Sequence, residues 1–139
     1  MEEFLRFHHI GIACRDIDKS KVFYQDMGYT AAATVHDPVQ RVLVCFLQKN
    51  GAPRLELLQP VGDESPVART LATAGVTPYH LCYEVDDLDD AIVRLRSTRR
   101  FLLVSGPVAA CAMENRRVAF MFQKDTGLIE LVETHPASR

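Results

Sequence analysis

The apolar positions of this chain fall into two series of the same kind. Residues 7–13 alternate as a strand does, with charge on both sides. Asp16 then stands as a helix N-cap before a segment in which Val22, Phe23 and Met27 recur at helical spacing. Gly28 sits where such a helix needs a left-handed residue to stop. Residues 29–36, 41–48 and 54–59 read as strands, parted by the turn pair Asp37-Pro38 and by the Gly51-containing stretch 49–52. After a loop over 60–64, Ser65 and Pro66 supply the cap and first-turn proline of a short helix that ends at Gly75.

The series then restarts. Residues 79–85 form a strand pattern, and Asp87 caps a helix running to about Ser97. Strand patterns follow at 102–104, 110–113 and 118–123, a turn at 124–127, and a last strand at 128–133. The restart is also legible residue by residue: HIGIACRDID at 9–18 returns as HLCYEVDDLD at 80–89. Asp16, Ile17 and Asp18 answer to Asp87, Leu88 and Asp89, and Arg54-Leu-Glu-Leu-Leu58 answers to Leu128-Ile-Glu-Leu-Val132. These patterns predict an α+β fold of two tandem βαβββ modules in a single domain over 1–139. Module 1 spans about 5–60, a linker helix about 65–75, and module 2 about 78–134. Residues 135–139 read as a polar tail.

Composition narrows the class without naming it. With 47% hydrophobic and 24% charged residues the chain is an ordinary globular sequence. Sixteen basic against eighteen acidic residues leave a net charge of −2, which gives no reason to expect nucleic acid or an anionic membrane as partner. The longest apolar runs, such as 42–47, are strand-sized and too short to span a bilayer. The opening MEEFLRFHH has acidic residues where a secretory signal needs positive charge, so a cytoplasmic location is expected. Cys14, Cys45, Cys82 and Cys111 are widely spaced and three lie in apolar runs, which reads as reduced packing thiols rather than disulfides or a zinc site.

The candidate chemistry lies in the repeat. A histidine opens each module's first strand, and a glutamate sits in each module's last, flanked by apolar residues. Side chains at i and i+2 share a strand face, so Glu130 sits with Leu128 and Val132, while His9 sits with Phe7, Gly11 and Ala13. An ionised carboxylate on an apolar face is costly unless it is paired or binds a metal. A lone strand histidine is usually core or surface, and a lone strand glutamate usually faces water; two matched pairs are hard to obtain from packing alone. His9, Glu56, His80 and Glu130 would supply two nitrogen and two oxygen donors. That set suits one divalent ion such as zinc, cobalt, nickel or manganese, with positions open for water or substrate. His8 points to the opposite face and has no histidine counterpart, since position 79 is Tyr79, which makes it structural or a support behind the ligands; His36 and His135 fall in a turn and the tail.

With those residues in place, the chain resembles the vicinal oxygen chelate superfamily over roughly residues 7–133. That superfamily includes glyoxalase I, methylmalonyl-CoA epimerase, extradiol dioxygenases and drug-resistance proteins. The segments HHIGIACRDIDKS, LELLQPVGDESPVARTL and PYHLCYEVDDLDDAI are most similar to its epimerase branch. The resemblance implies curved mixed sheets around a metal-binding cleft, with ligands at the positions of His9, Glu56, His80 and Glu130. It implies a metal-dependent isomerase acting on a small molecule, such as an acyl thioester. The reaction would move a proton next to a carbonyl through a metal-stabilised enediolate, with Glu130 as general base. Glu56, as a fourth ligand, sets the chain apart from the dioxygenases. Two alternatives remain at this point: a glyoxalase I-like lactoylglutathione lyase, and a non-catalytic small-molecule binding or resistance protein. Members are often homodimers, although all four candidate ligands lie in one chain.

Two features depart from the branch pattern. Val44 occupies the place of a glutamate that serves bacterial epimerases as second base, and residues 110–116 replace a glycine-rich loop. Arg116, Arg117 and Lys124 read as solvated charges with an alternative as anion contacts, Glu84 as an end-of-strand residue with an alternative as relocated base, and Cys82 as packing.

Overall fold

In the computed structural model the described residues are 4–134, so the predicted C-terminal tail lies outside them. The chain divides into two compact units. The first is His9–Tyr79; the second is His80 onward together with the residues up to His8. The division falls within a strand at each boundary.

The first unit uses β1 (Arg6–Ala13), α1 (Ile17–Asp26), β2 (Thr30–Ala31), β3 (Val35–Asp37), β4 (Val42–Gln48), β5 (Leu55–Pro60) and α2 (Pro66–Ala74). β1 runs parallel to β5, β5 antiparallel to β4, and β2 and β3 both lie antiparallel on β4. The single strand expected over 29–36 is thus two pieces. Ala31 and Val35 are four residues apart while their partners Leu47 and Val44 are three apart, so one extra residue bulges out and splits the strand.

The second unit uses β6 (Thr77–Val85), α3 (Leu88–Ser97), β7 (Leu102–Ala110), a 3₁₀ turn (Cys111–Met113), β8 (Arg116–Gln123) and β9 (Gly127–Glu133). β6 runs parallel to β9, β9 antiparallel to β8, and β8 antiparallel to β7. The βαβββ order and the mixed pairing expected of the α+β fold are therefore present twice. Here too the middle strands differ from expectation. β7 continues to Ala110 through two register shifts, and the segment expected as a strand at 110–113 turns instead. Glu114 and Asn115 take positive φ, and the Asn115 N–H closes the turn on the Ala110 carbonyl at 3.0 Å.

Helix boundaries follow local chemistry. Asp16 accepts from the N–H groups of Asp18 and Lys19, Asp87 from that of Asp90, and Ser65 from that of Ala68 ahead of Pro66. Each such cap satisfies an otherwise orphaned donor. The cores follow strand alternation. In the first unit Ile12, Cys45, Leu47, Leu55 and Leu57 pack with Cys14, Ile17 and Tyr29. In the second, Ala119, Met121, Ile129 and Leu131 pack against Leu88, Ala91, Ile92 and Leu95 of α3. Each buried leucine of this kind contributes about 1.5–3 kcal/mol. Because odd-numbered positions of β4 and β5 go to the core, Phe46 and Glu56 belong to the opposite sheet face.

Candidate metal centre: two matched histidine–glutamate pairs

Strand register explains how each pair forms. Gly11 lies beside Glu56 in the β1–β5 pairing, and Cys82 beside Glu130 in the β6–β9 pairing. In both units the histidine is two residues earlier on the same face. His9 Nε2 lies 3.1 Å from Glu56 Oε1, and His80 Nε2 lies 3.1 Å from Glu130 Oε1. All four side chains are buried, with exposures of 5% or less. The next strand adds a third matched member. Phe46 pairs with Glu56 and Phe120 with Glu130. The Phe46 ring meets His9 edge-to-face at 5.2 Å and 84°, and the Phe120 ring meets His80 at 5.3 Å and 85°. Such contacts hold an imidazole in one orientation. The phenylalanines were not singled out above, although a signal existed: each stands ten residues before its glutamate.

Each pair fits a divalent ion by chemistry and by spacing. Two donors bonded to one ion at about 2.1 Å, at angles between square and tetrahedral, are about 3.0–3.4 Å apart, and the observed separation of 3.1 Å falls within this window. One imidazole nitrogen and one carboxylate oxygen per unit are the donor types that zinc, cobalt, nickel and manganese accept.

The other residues weighed from sequence have different places. Val44 is buried, on the Phe46 side of β4 between Val35 and Leu58, so the face there is apolar. Glu84 accepts from Arg116 at 2.7 Å and from Arg6 at 3.5 Å, and Arg116 also reaches His8 Nε2 at 3.4 Å. A carboxylate held between two guanidinium groups is a poor candidate for a proton-abstracting base. Arg117 joins Asp89 at 3.0 Å and the buried Glu133 at 2.8 Å. Its guanidinium is held above its ordinary range, first by the hydrogen bond to Asp89 and then by that to Glu133. That arginine ties α3 to β9. Cys14, Cys45 and Cys82 are buried and Cys111 exposed, none of the four in a disulfide. Burial pushes the Cys14 and Cys45 thiols up.

Repeated βαβββ units of mixed strand pairing, each with a histidine and a glutamate on one face, define a class. Residues 8–120 match the Glyoxalase/Bleomycin resistance protein/Dioxygenase superfamily, and the chain belongs to it. Within that superfamily its place is with the methylmalonyl-CoA epimerases. It is 34% identical over 131 residues to the human mitochondrial methylmalonyl-CoA epimerase, covering 91% of this chain and 72% of that one. To the ethylmalonyl-CoA/methylmalonyl-CoA epimerase of Cereibacter sphaeroides it is 32% identical over 132 residues, covering 91% and 96%. A solved methylmalonyl-CoA epimerase in complex with methylmalonyl-CoA and NH4+ superposes with a TM-score of 0.82 at 28% identity, over 96% of each chain. This kinship is with isomerases; it favours neither the lyase nor the non-catalytic alternative. Among the described residues no helix is long and apolar enough to cross a membrane.

Proposed function

We propose that this chain is a metal-dependent epimerase of the isomerase class, acting on a small acyl-CoA thioester of the methylmalonyl type. The observation that carries the reading is the matched pair, His9–Glu56 and His80–Glu130, in a chain whose relatives are epimerases. We assign His9, Glu56, His80 and Glu130 as ligands of one divalent ion and residues 1–139 as one domain. Held by these four side chains, a divalent ion would supply Lewis-acid chemistry next to the acyl group's reacting carbon.

The chain's own residues do the rest. Held in place beside His80 and Phe120, Glu130 takes the α-proton from one face of the α-carbon. Inversion needs the new proton on the opposite face, where Val44 leaves no carboxylate, so solvent water delivers it. His80 and His9 are fixed by the edge-to-face phenylalanines, so their Nε2 atoms stay aimed at the carboxylates. Glu56 serves as a ligand through the same arrangement. A homodimer and a cytoplasmic location accord with this reading and remain part of the proposal.

The test is proton exchange. Metal-loaded protein with methylmalonyl-CoA in deuterated water should incorporate one deuterium at the α-carbon, read by mass spectrometry. Elemental analysis should find about one divalent ion per chain. A metal-loaded protein that binds the thioester without exchange would overturn the enzyme reading in favour of a binding protein.

A further inference from the structure

Apart from the matched pairs, the two units differ in the row of side chains beside them. Continuing the Ile10–Leu55 register back by one residue sets Arg54 next to His9, where the Ile10 N–H already donates to the Arg54 carbonyl at 3.0 Å. Continuing the Leu47–Leu55 register sets Gln48 next to Arg54, and Thr30 pairs with Gln48. The first unit's row is therefore His9, Arg54, Gln48, Thr30, with Arg54 half-buried and Gln48 and Thr30 exposed. The same construction in the second unit gives His80, Leu128, Phe122, Leu102. Leu102 is 69% exposed and Phe122 41% exposed. One row is polar and cationic; its counterpart is apolar.

The repeat acts as an internal control. Leu128 fills the position equivalent to Arg54, so the strand architecture accepts an aliphatic residue there and does not demand a guanidinium. Arg54 stands two residues before Glu56, on the same side of the strand by alternation and about 7 Å along it. A malonyl-type acyl group carries its free carboxylate on the same carbon that loses the proton, so that anion lies within a few bonds of the reacting centre. A guanidinium's planar fork matches a carboxylate with two parallel hydrogen bonds.

We propose that Arg54 is a specificity-determining residue that engages the free carboxylate of the acyl thioester; this rests on the epimerase reading above. The experiment compares wild type, Arg54→Leu and Arg54→Lys, each metal-loaded, by calorimetric titration with methylmalonyl-CoA and with propionyl-CoA, which lacks the carboxylate. Because the equivalent position of the repeat holds Leu128, metal content and circular dichroism of Arg54→Leu should be unchanged. Arg54→Leu should weaken methylmalonyl-CoA binding about tenfold, a moderate loss for a charge contact made by a half-buried side chain. Propionyl-CoA binding should stay within about twofold, and Arg54→Lys should fall between. Equal weakening for both thioesters would move Arg54 to the carrier's phosphates and overturn the assignment, as would no weakening at all. Wild-type protein that binds neither thioester would sink the epimerase reading and this assignment with it. Exchange-active wild type with unaltered discrimination in Arg54→Leu would sink the assignment alone.

Discussion

The two units solve one local problem identically and another differently. Around the histidine–glutamate pair they agree in register, in the 3.1 Å separation and in the phenylalanine that meets the imidazole. Their helices do not agree. α3 buries Leu88, Ala91, Ile92 and Leu95 against its sheet, as an amphipathic helix should. α1 buries only Ile17, while Val22, Phe23 and Met27, the residues that announce it by spacing, face outward with Phe23 at 63% exposure. What is repeated is the histidine–glutamate–phenylalanine arrangement; the burial pattern of the helix beside it is not.

The sharpest way to break the equivalence is at the carboxylates. Glu130→Gln should lower proton exchange by about a thousandfold, since it removes a base as well as a ligand charge. Glu56→Gln should keep about a tenth of the activity when metal is in excess, because only a ligand is altered. Equal losses in a steady-state exchange assay would mean that the two glutamates share one role. Next in size, His9→Ala or His80→Ala should each reduce bound metal from about one ion per chain to well below half after desalting. Retention in either variant would show that one pair suffices.

Smaller effects sharpen the contrast between helices. Leu95→Ala should cost about 2–4 kcal/mol in chemical denaturation, as a core truncation does, whereas Phe23→Ala should stay within about 0.5 kcal/mol. A large loss for Phe23→Ala would show that α1's outer face is covered in solution. Asp16→Ala and Asp87→Ala should each cost about 1 kcal/mol, since each removes an N-cap of the same geometry. Among the thiols, Cys111 should react first with iodoacetamide in native protein. Cys14 and Cys45, whose burial disfavours the thiolate, should react only on unfolding. Early labelling of Cys45 on a peptide map would place it at an accessible surface.

Much of this was readable in advance because it depends on short-range rules. The caps at Asp16, Ser65 and Asp87 are statements about four consecutive residues, and all three hold. The strand face of each histidine and glutamate follows from period-two alternation. The middle strands were not readable, because bulges and turns there depend on the partner strand. The one-residue slip that splits β2 from β3 exists only relative to β4, and the shifts in β7 only relative to β8. Gly106 shows the same dependence: at φ +88° it lies so close to the β8 backbone that an added Cβ would meet Val118 O at 2.5 Å.

By itself, then, the sequence determined the repeat, the element order and the four candidate ligands, since these rest on spacing, alternation and capping, which act within a few residues. Only the tertiary structure decided which charges are already neutralised. Glu84 and Arg117 look alike on paper to residues a substrate could use, but side chains of other elements claim the first for Arg6 and Arg116, and the second for Asp89 and Glu133. It also decided which way α1 faces. Electrostatic partners and buried faces are set by residues tens of positions away in the chain, brought within a few ångströms by the sheet, and no local pattern encodes that distance.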